Sequence, residues 1–213
     1  MLQHLKLAYW LLLGLAPSLV FAVEVELLPA NEPVAQRSQL DWSVLWWRWA
    51  ASFEQEDSPI ADRTGANCAS KQGEHVWFLA GTYGTKRTIR TCTIPEGKYL
   101  FFPLINYIVT PSARSSVRCL GVRAEAAQMT DGVSALILEV DGKRFSGLER
   151  HRQATVECFE LGDNNTITSA SGPAASNGYF VMLRPLARGK HVVNFGGALP
   201  SMLQAVTYTL TVE

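Results

Sequence analysis

Two periodicities and one unbroken pattern divide this chain into elements. Val23–Leu28 (VEVELL) alternates apolar and acidic positions, as a half-buried strand does. After a polar stretch containing Pro33, Leu40–Phe53 changes period. Trp42, Leu45, Trp46, Trp49 and Phe53 fall at i, i+3, i+4, i+7 and i+11, which is one helix face. Asp41 stands in the first turn, where a negative charge suits the helix dipole. Ser58–Asn67 (SPIADRTGAN) is a loop by its Pro, Gly, Asp and Asn content. Val76–Ala80 is apolar without interruption and reads as a core strand. Thr85–Ile94 and Lys98–Ile105 are strands on either side of a Pro95-Glu96-Gly97 turn.

Further on, Ser115–Asp131 is the second helix candidate, with Ser115 or Ser116 as N-cap, internal alanines and Gly132 just past its end. Leu136, Leu138 and Val140 alternate toward Asp141-Gly142, a two-residue hairpin signal, with Lys143–Phe145 returning. Tyr179–Arg184 and His191–Phe195 are strands joined through Pro185–Lys190. In the last strand Val206, Tyr208, Leu210 and Val212 alternate with Ala205, Thr207, Thr209 and Thr211, giving one core face and one hydroxyl face. Short strands with Gly/Pro turns predict a mainly β protein: an antiparallel β-sandwich or jelly roll with one or two helices. No period of 20–50 residues marks a propeller or solenoid.

The first 22 residues read as a secretory signal. Lys6 supplies the basic start, Leu7–Ala16 is apolar, and Val20-Phe21-Ala22 fits a cleavage site. The apolar stretch holds Pro17 and is short for a membrane span. Residues 23–213 are then one exported domain, secreted or periplasmic, with no stable membrane insertion after cleavage. The whole chain of 213 residues has 19 basic and 19 acidic side chains, a balance that argues against nucleic acid as a partner. Cys68, Cys92, Cys119 and Cys158 are an even set in an exported chain, so disulfides are expected, paired as neighbours: Cys68–Cys92 and Cys119–Cys158. No C-x-x-C spacing supports a zinc or redox site.

The segments W-W-R-W-A (46–50), D-R-T-G-A-N-C (62–68), V-W-F-L-A-G-T (76–82), R-T-C-T-I-P-E-G-K (90–98) and L-F-F-P (100–103) resemble those of a family of secreted bacterial proteins without an assigned activity. So does G-Y-F-V-M-L-R-P-L near the C-terminus. The resemblance implies export and a β-rich domain. It supplies no catalytic residue.

Candidate chemistry is sparse. Trp47 lies off the helical stripe, beside Arg48, and is the tryptophan expected to be exposed for stacking on a sugar; Trp42, Trp46 and Trp49 are expected to dock onto a sheet. Asp62, Thr64 and Asn67 offer oxygens to a sugar or to Ca²⁺, though the same residues make ordinary turns. Asp163-Asn164-Asn165 is a weaker loop of the same kind. Arg87 and Arg90 belong to one strand, either solvated on its surface or facing a carboxylate ligand in a cleft. His75, His151 and His191 lack metal-ligand spacing. Glu139, Glu149, Glu157 and Glu160 are the carboxylates available for glycoside hydrolysis. Neither G-x-S-x-G nor S-x-x-K occurs, and G-T-Y-G is not a phosphate loop. The expected function is a non-catalytic binding or structural protein recognising extracellular carbohydrate, without a cofactor. A polysaccharide hydrolase or lyase and a cell-envelope interaction subunit are the alternatives.

Overall fold

The structure, a computed structural model, describes residues 24–83, 87–111, 118–162, 167 and 172–213. The signal segment, Ser115, Ser116 and the 163–165 loop lie outside the described residues. The chain builds α1 (Gln39–Ala51), β1 (Val76–Phe78), β2 (Thr88–Ile94), β3 (Tyr99–Val109), α2 (Cys119–Asp131), β4 (Ala135–Val140), β5 (Lys143–Arg144), β6 (Arg152–Ala154), β7 (Ala175–Leu183), β8 (Gly189–Leu199) and β9 (Met202–Val212). A short 3₁₀ turn, Leu148–His151, precedes β6.

The strands form a four-stranded sheet, β1-β3-β7-β6, and a five-stranded sheet, β2-β9-β8-β4-β5. The fold is mainly β and sandwich-like, with two helices. It departs from a purely antiparallel sandwich in two places, because β1 runs parallel to β3 and β2 parallel to β9. The sheets are therefore mixed. Although β7 and β8 are neighbours in sequence, they lie in different sheets.

The hydrophobic patterns explain the layering. β3 is apolar with almost no break and β7 is so from Gly178 to Leu183, and both are buried nearly throughout. Strands covered on two faces carry such runs. One face of this sheet (Leu100, Phe102, Val181, Leu183) packs on Leu138, Val193, Phe195, Tyr208 and Leu210 of the other sheet. Its opposite face (Phe78, Phe101, Phe180, Met182) packs on Trp46, Trp47 and Trp49 of α1. Among the described residues the five-stranded sheet is covered on one side, and its strands β2 and β9 alternate accordingly.

α1 starts with a capping box: the Ser38 hydroxyl accepts from the Asp41 N–H, and the Asp41 carboxylate accepts from the Ser38 N–H. Asp141 and Gly142 adopt φ of 52° and 81°, the left-handed pair a tight hairpin requires. Of the expected strand Val23–Leu28, Val23 lies outside the described residues, and the rest forms only a short pairing, with Leu27 opposite Leu183. Both expected disulfides form. Cys68–Cys92 ties the loop after α1 to β2, and Cys119–Cys158 ties the start of α2 to the segment after β6.

Candidate functional site

The expectation of an exposed Trp47 is overturned. Trp47 is 5% exposed, and its indole N–H donates to Ser176 Oγ on β7 at 2.7 Å. Trp42, Trp46 and Trp49 likewise donate their indole N–H groups to the carbonyls of Val34, Leu79 and Ser70. Trp42 is half-buried and the others, with Trp77, are buried. Among the described tryptophans only Trp42 keeps a sizeable part of its surface exposed. α1 is covered on more than its apolar stripe, because β7 also supplies a hydroxyl to the flank that carries Trp47.

Arg90 also differs from a solvated sheet-surface residue, being 1% exposed. Alternation along β2 places Thr88, Arg90, Cys92 and Ile94 on the buried face. The Arg90 guanidinium donates to the carbonyls of Asp62 (2.7 Å), Ala80 (2.6 Å), Gly81 (2.9 Å) and Ile60 (3.0 Å), and to the Tyr208 hydroxyl (3.2 Å). A planar fork of donors suits several carbonyls at once. Arg90 thereby fastens the 60–62 loop and the segment after β1 to the five-stranded sheet.

The Asp62–Asn67 loop turns its polar atoms on itself. The Asp62 carboxylate accepts from the Thr64 N–H (2.7 Å), the Thr64 hydroxyl (2.9 Å) and the Asn67 N–H (3.0 Å). Burial pushes this carboxyl up, but the N–H groups of Asn67 and Thr64, the Thr64 hydroxyl and the Gly65 N–H outweigh it and leave it below the usual range. The Thr64 carbonyl accepts from the Thr91 N–H at 2.8 Å, so the loop lies along the edge of β2. Gly65 is required there: its φ is 94°, and a Cβ would stand 2.2 Å from the Thr91 carbonyl oxygen. Among the described residues, no group of three or more His, Cys, Asp or Glu is placed to hold a metal ion.

Of the concave features among the described residues, two bear on the predicted residues and on the outer sheet face. One is a pocket of about 220 Å³ between α1 and the end of the sandwich, lined by Trp46, Trp47, Ile60, Asn106, Met202 and Gln204 among others. The other is a furrow of about 570 Å³ on the outer face of the five-stranded sheet. There Arg144, Glu139, Asn194 and Thr207 stand directly opposite one another on β5, β4, β8 and β9. They form one hydrogen-bonded row. Arg144 Nε donates to Glu139 (2.9 Å), Asn194 Nδ2 donates to Glu139 (3.2 Å), and the Thr207 hydroxyl donates to Asn194 Oδ1 (2.8 Å). Arg87, just before β2, donates to Thr207 Oγ1 through Nη2 (2.9 Å) and Nε (3.2 Å). Three strand spacings make the row about 14 Å wide. Beside it, Ile137, Gly196 and Ala205 stand opposite one another and give the furrow a low, apolar floor. A Cβ on Gly196 would meet the Gln204 carbonyl oxygen at 2.1 Å, so that floor stays shallow.

The hydrogen bond from Arg144 holds the Glu139 carboxyl below the ordinary range, with Asn194 adding to it against some burial. Glu139 is therefore an ionised acceptor. Glu149 lies in the 3₁₀ turn, and Glu157 and Glu160 lie after β6; none of the three lines the furrow. Asp62, Thr64 and Asn67 line neither concave feature, whereas Trp47 lines the pocket and Arg90 bonds to the carbonyls of two of its lining residues, Ile60 and Gly81. Sequence reasoning missed Thr207, Asn194 and Arg144. The alternation of β9 assigned Thr207 a face, but not its neighbours.

Fold and surface together define a disulfide-bonded β domain in three layers, with no described helix long and apolar enough to cross a membrane. No family model matches the chain, and no curated protein matches it. Among solved structures it is similar to amebosin in solution (14% identity, TM-score 0.26, 66% of this chain and 100% of that one). It is similar to PbICP-C in complex with falcipain-2 (10% identity, TM-score 0.29, 66% of this chain and 100% of that one). A third likeness is to EhICP2, a cysteine protease inhibitor from Entamoeba histolytica (12% identity, TM-score 0.27, 65% of this chain and 95% of that one). At these TM-scores the likenesses carry no argument about fold or function.

Proposed function

We propose that this is an exported, non-catalytic binding protein whose ligand is a carbohydrate lying across the strands in the sheet furrow. The signal-like N-terminus and two disulfides support export. The row Arg144–Glu139–Asn194–Thr207–Arg87 carries the reading. It fixes acceptors and donors at sheet spacing along one wall, beside an apolar floor. A sugar chain presents hydroxyls at its edge and C–H groups on its face, which is the complementary arrangement. Among the described residues Arg144 commits only Nε to the row and is mostly exposed, so its remaining N–H donors face a ligand.

The arrangement favours binding over hydrolysis. Glycoside hydrolysis needs a second carboxyl to act as acid. Glu139 stands without one in the furrow and is held ionised. The test is a glycan array followed by affinity electrophoresis on soluble polysaccharides. We expect retardation by at least one polysaccharide, weakened about tenfold by Asn194→Ala, equivalent to about 1.4 kcal/mol. Arg144→Ala, at an exposed side chain, gives a milder loss without endangering the fold. Uniformly negative arrays would overturn carbohydrate recognition, and binding untouched by both substitutions would overturn the furrow.

A further inference from the structure

We infer that the ligand of the sheet furrow is acidic: a polymer of uronic acids whose carboxylates are met by Arg144 at one end of the row and by Arg87 at the other. This rests on the furrow being the carbohydrate site, and it adds the charge of the sugar chain.

The charged side chains lining the furrow are Arg87, Glu139 and Arg144. Glu139 is already paired, since one carboxylate oxygen accepts from Arg144 Nε (2.9 Å) and the other from Asn194 Nδ2 (3.2 Å). Asp141, two residues beyond Glu139, uses its carboxylate on the Val192 N–H (2.8 Å) and on His191 Nδ1 (2.6 Å). Arg87 has no carboxylate partner among the described residues. It is held by the neutral Thr207 hydroxyl, through Nη2 (2.9 Å) and Nε (3.2 Å). One guanidinium in the furrow is balanced and the other is not, so the furrow is cationic on a chain with 19 basic and 19 acidic side chains.

The hydrogen bonds point the same way. Asn194 Oδ1 accepts from the Thr207 hydroxyl, and Thr207 Oγ1 in turn accepts from Arg87, so the middle of the row is satisfied from within. Of the five N–H donors on each guanidinium, Arg144 commits one to the row and Arg87 two. The free capacity is therefore chiefly N–H, and it stands at the two ends, where both side chains are exposed. A ligand must bring acceptors there. A sugar hydroxyl accepts, but a carboxylate also matches the guanidinium fork with two oxygens and the opposite charge. The row spans about 14 Å, beyond the ~8 Å over which exposed charges act in physiological salt. A single small acid would reach one arginine, whereas a chain with an acid on each ring reaches both.

Isothermal titration calorimetry of the full exported chain tests this with oligomers of galacturonate, mannuronate and glucuronate, each beside its methyl ester. We expect at least one acid to bind about tenfold tighter than its ester at low salt, and the gap to shrink in about 0.5 M salt. Arg87→Gln should remove most of the gap, and Arg87→Lys should keep part of it through charge alone. Both changes are at an exposed side chain, and an unchanged melting temperature verifies the fold. No preference for acid over ester in any pair would overturn the proposal, as would binding of dextran sulfate without binding of any uronate. A preference that persists when Arg87 and Arg144 are both replaced by glutamine would place the anion elsewhere and overturn it too. Acids and esters bound equally, both weakened by Asn194→Ala, would overturn the acidic ligand while leaving carbohydrate recognition in the furrow standing.

Discussion

Replacing Arg90 with methionine keeps the aliphatic stem and removes the donors, and the structure sets the size of the effect. Four backbone carbonyls and the Tyr208 hydroxyl lose a charged partner. Tyr208 keeps one bond, from the Ala80 N–H at 3.2 Å. Each hydrogen bond to a charged group contributes about 1.5–3 kcal/mol, but these share one guanidinium and do not add. Removing a buried cation also relieves a desolvation cost of several kcal/mol. The net expectation is a loss of about 3–4 kcal/mol, near the upper end for single substitutions. Arg90→Lys retains the charge but offers three donors from one point, so it should lose about half as much. Urea unfolding with both disulfides intact measures this, because both proteins then share the same cross-linked unfolded chain. In a thermal scan the methionine variant should melt about 10 °C lower. A methionine variant within about 1 kcal/mol of the native protein would refute the view that Arg90 clamps the two loops.

Other expectations follow from single features of the fold. Replacing Cys68 and Cys92 together by alanine opens a cross-link of sequence separation 24 and should cost about 3–4 kcal/mol in chain entropy; an unchanged urea midpoint would contradict it. Gly178→Ala forces a Cβ against the β3 backbone and should destabilise by about 2–3 kcal/mol, so a native-like melting temperature would show that the strands can part there. Burial, with help from Arg150 and against Glu149, holds His151 below its ordinary value. The unfolded chain then takes up that proton first, so stability is full above about pH 6.5 and falls as the pH drops toward the folded value. His151→Gln should flatten this slope in urea midpoints taken from pH 8 to 5, and identical slopes in the two proteins would count against it.

The elements were legible because each leaves its own period. The alternation of β9 gave its buried and hydroxyl faces, the Trp stripe gave α1, and Asp141-Gly142 gave its hairpin. Strand partners were not legible. β2 pairs in parallel with β9, far along the chain, and nothing in seven residues of β2 names that partner. A helical wheel treats α1 as one-sided, so it placed Trp47 in solvent; the indole is covered because β7 passes that flank with Ser176. Arg90 is a different kind of miss. Its parity with Cys92 and Ile94 already put it on the buried face of β2, and the disulfide made that face identifiable. Reading the arginine by residue type obscured what its position stated.

The furrow shows why a site on a sheet is harder to read than a strand. Arg144, Glu139, Asn194 and Thr207 are unremarkable one at a time. They become a row only because four strands share one register, and a slip of a single residue in any of them would turn its member inward. That register has local causes. The Asp141-Gly142 turn, with both residues left-handed, allows Glu139 to face only Arg144. Gly196, held too close to the β9 backbone for any side chain, seats β8 against Ala205 and so brings Asn194 to Thr207 two residues away. Gly196→Ala should therefore weaken ligand binding through the register while changing none of the row's own side chains. Loss of polysaccharide retardation in that variant, with Asn194 and Thr207 intact, would separate a site made by strand alignment from one made by any single residue.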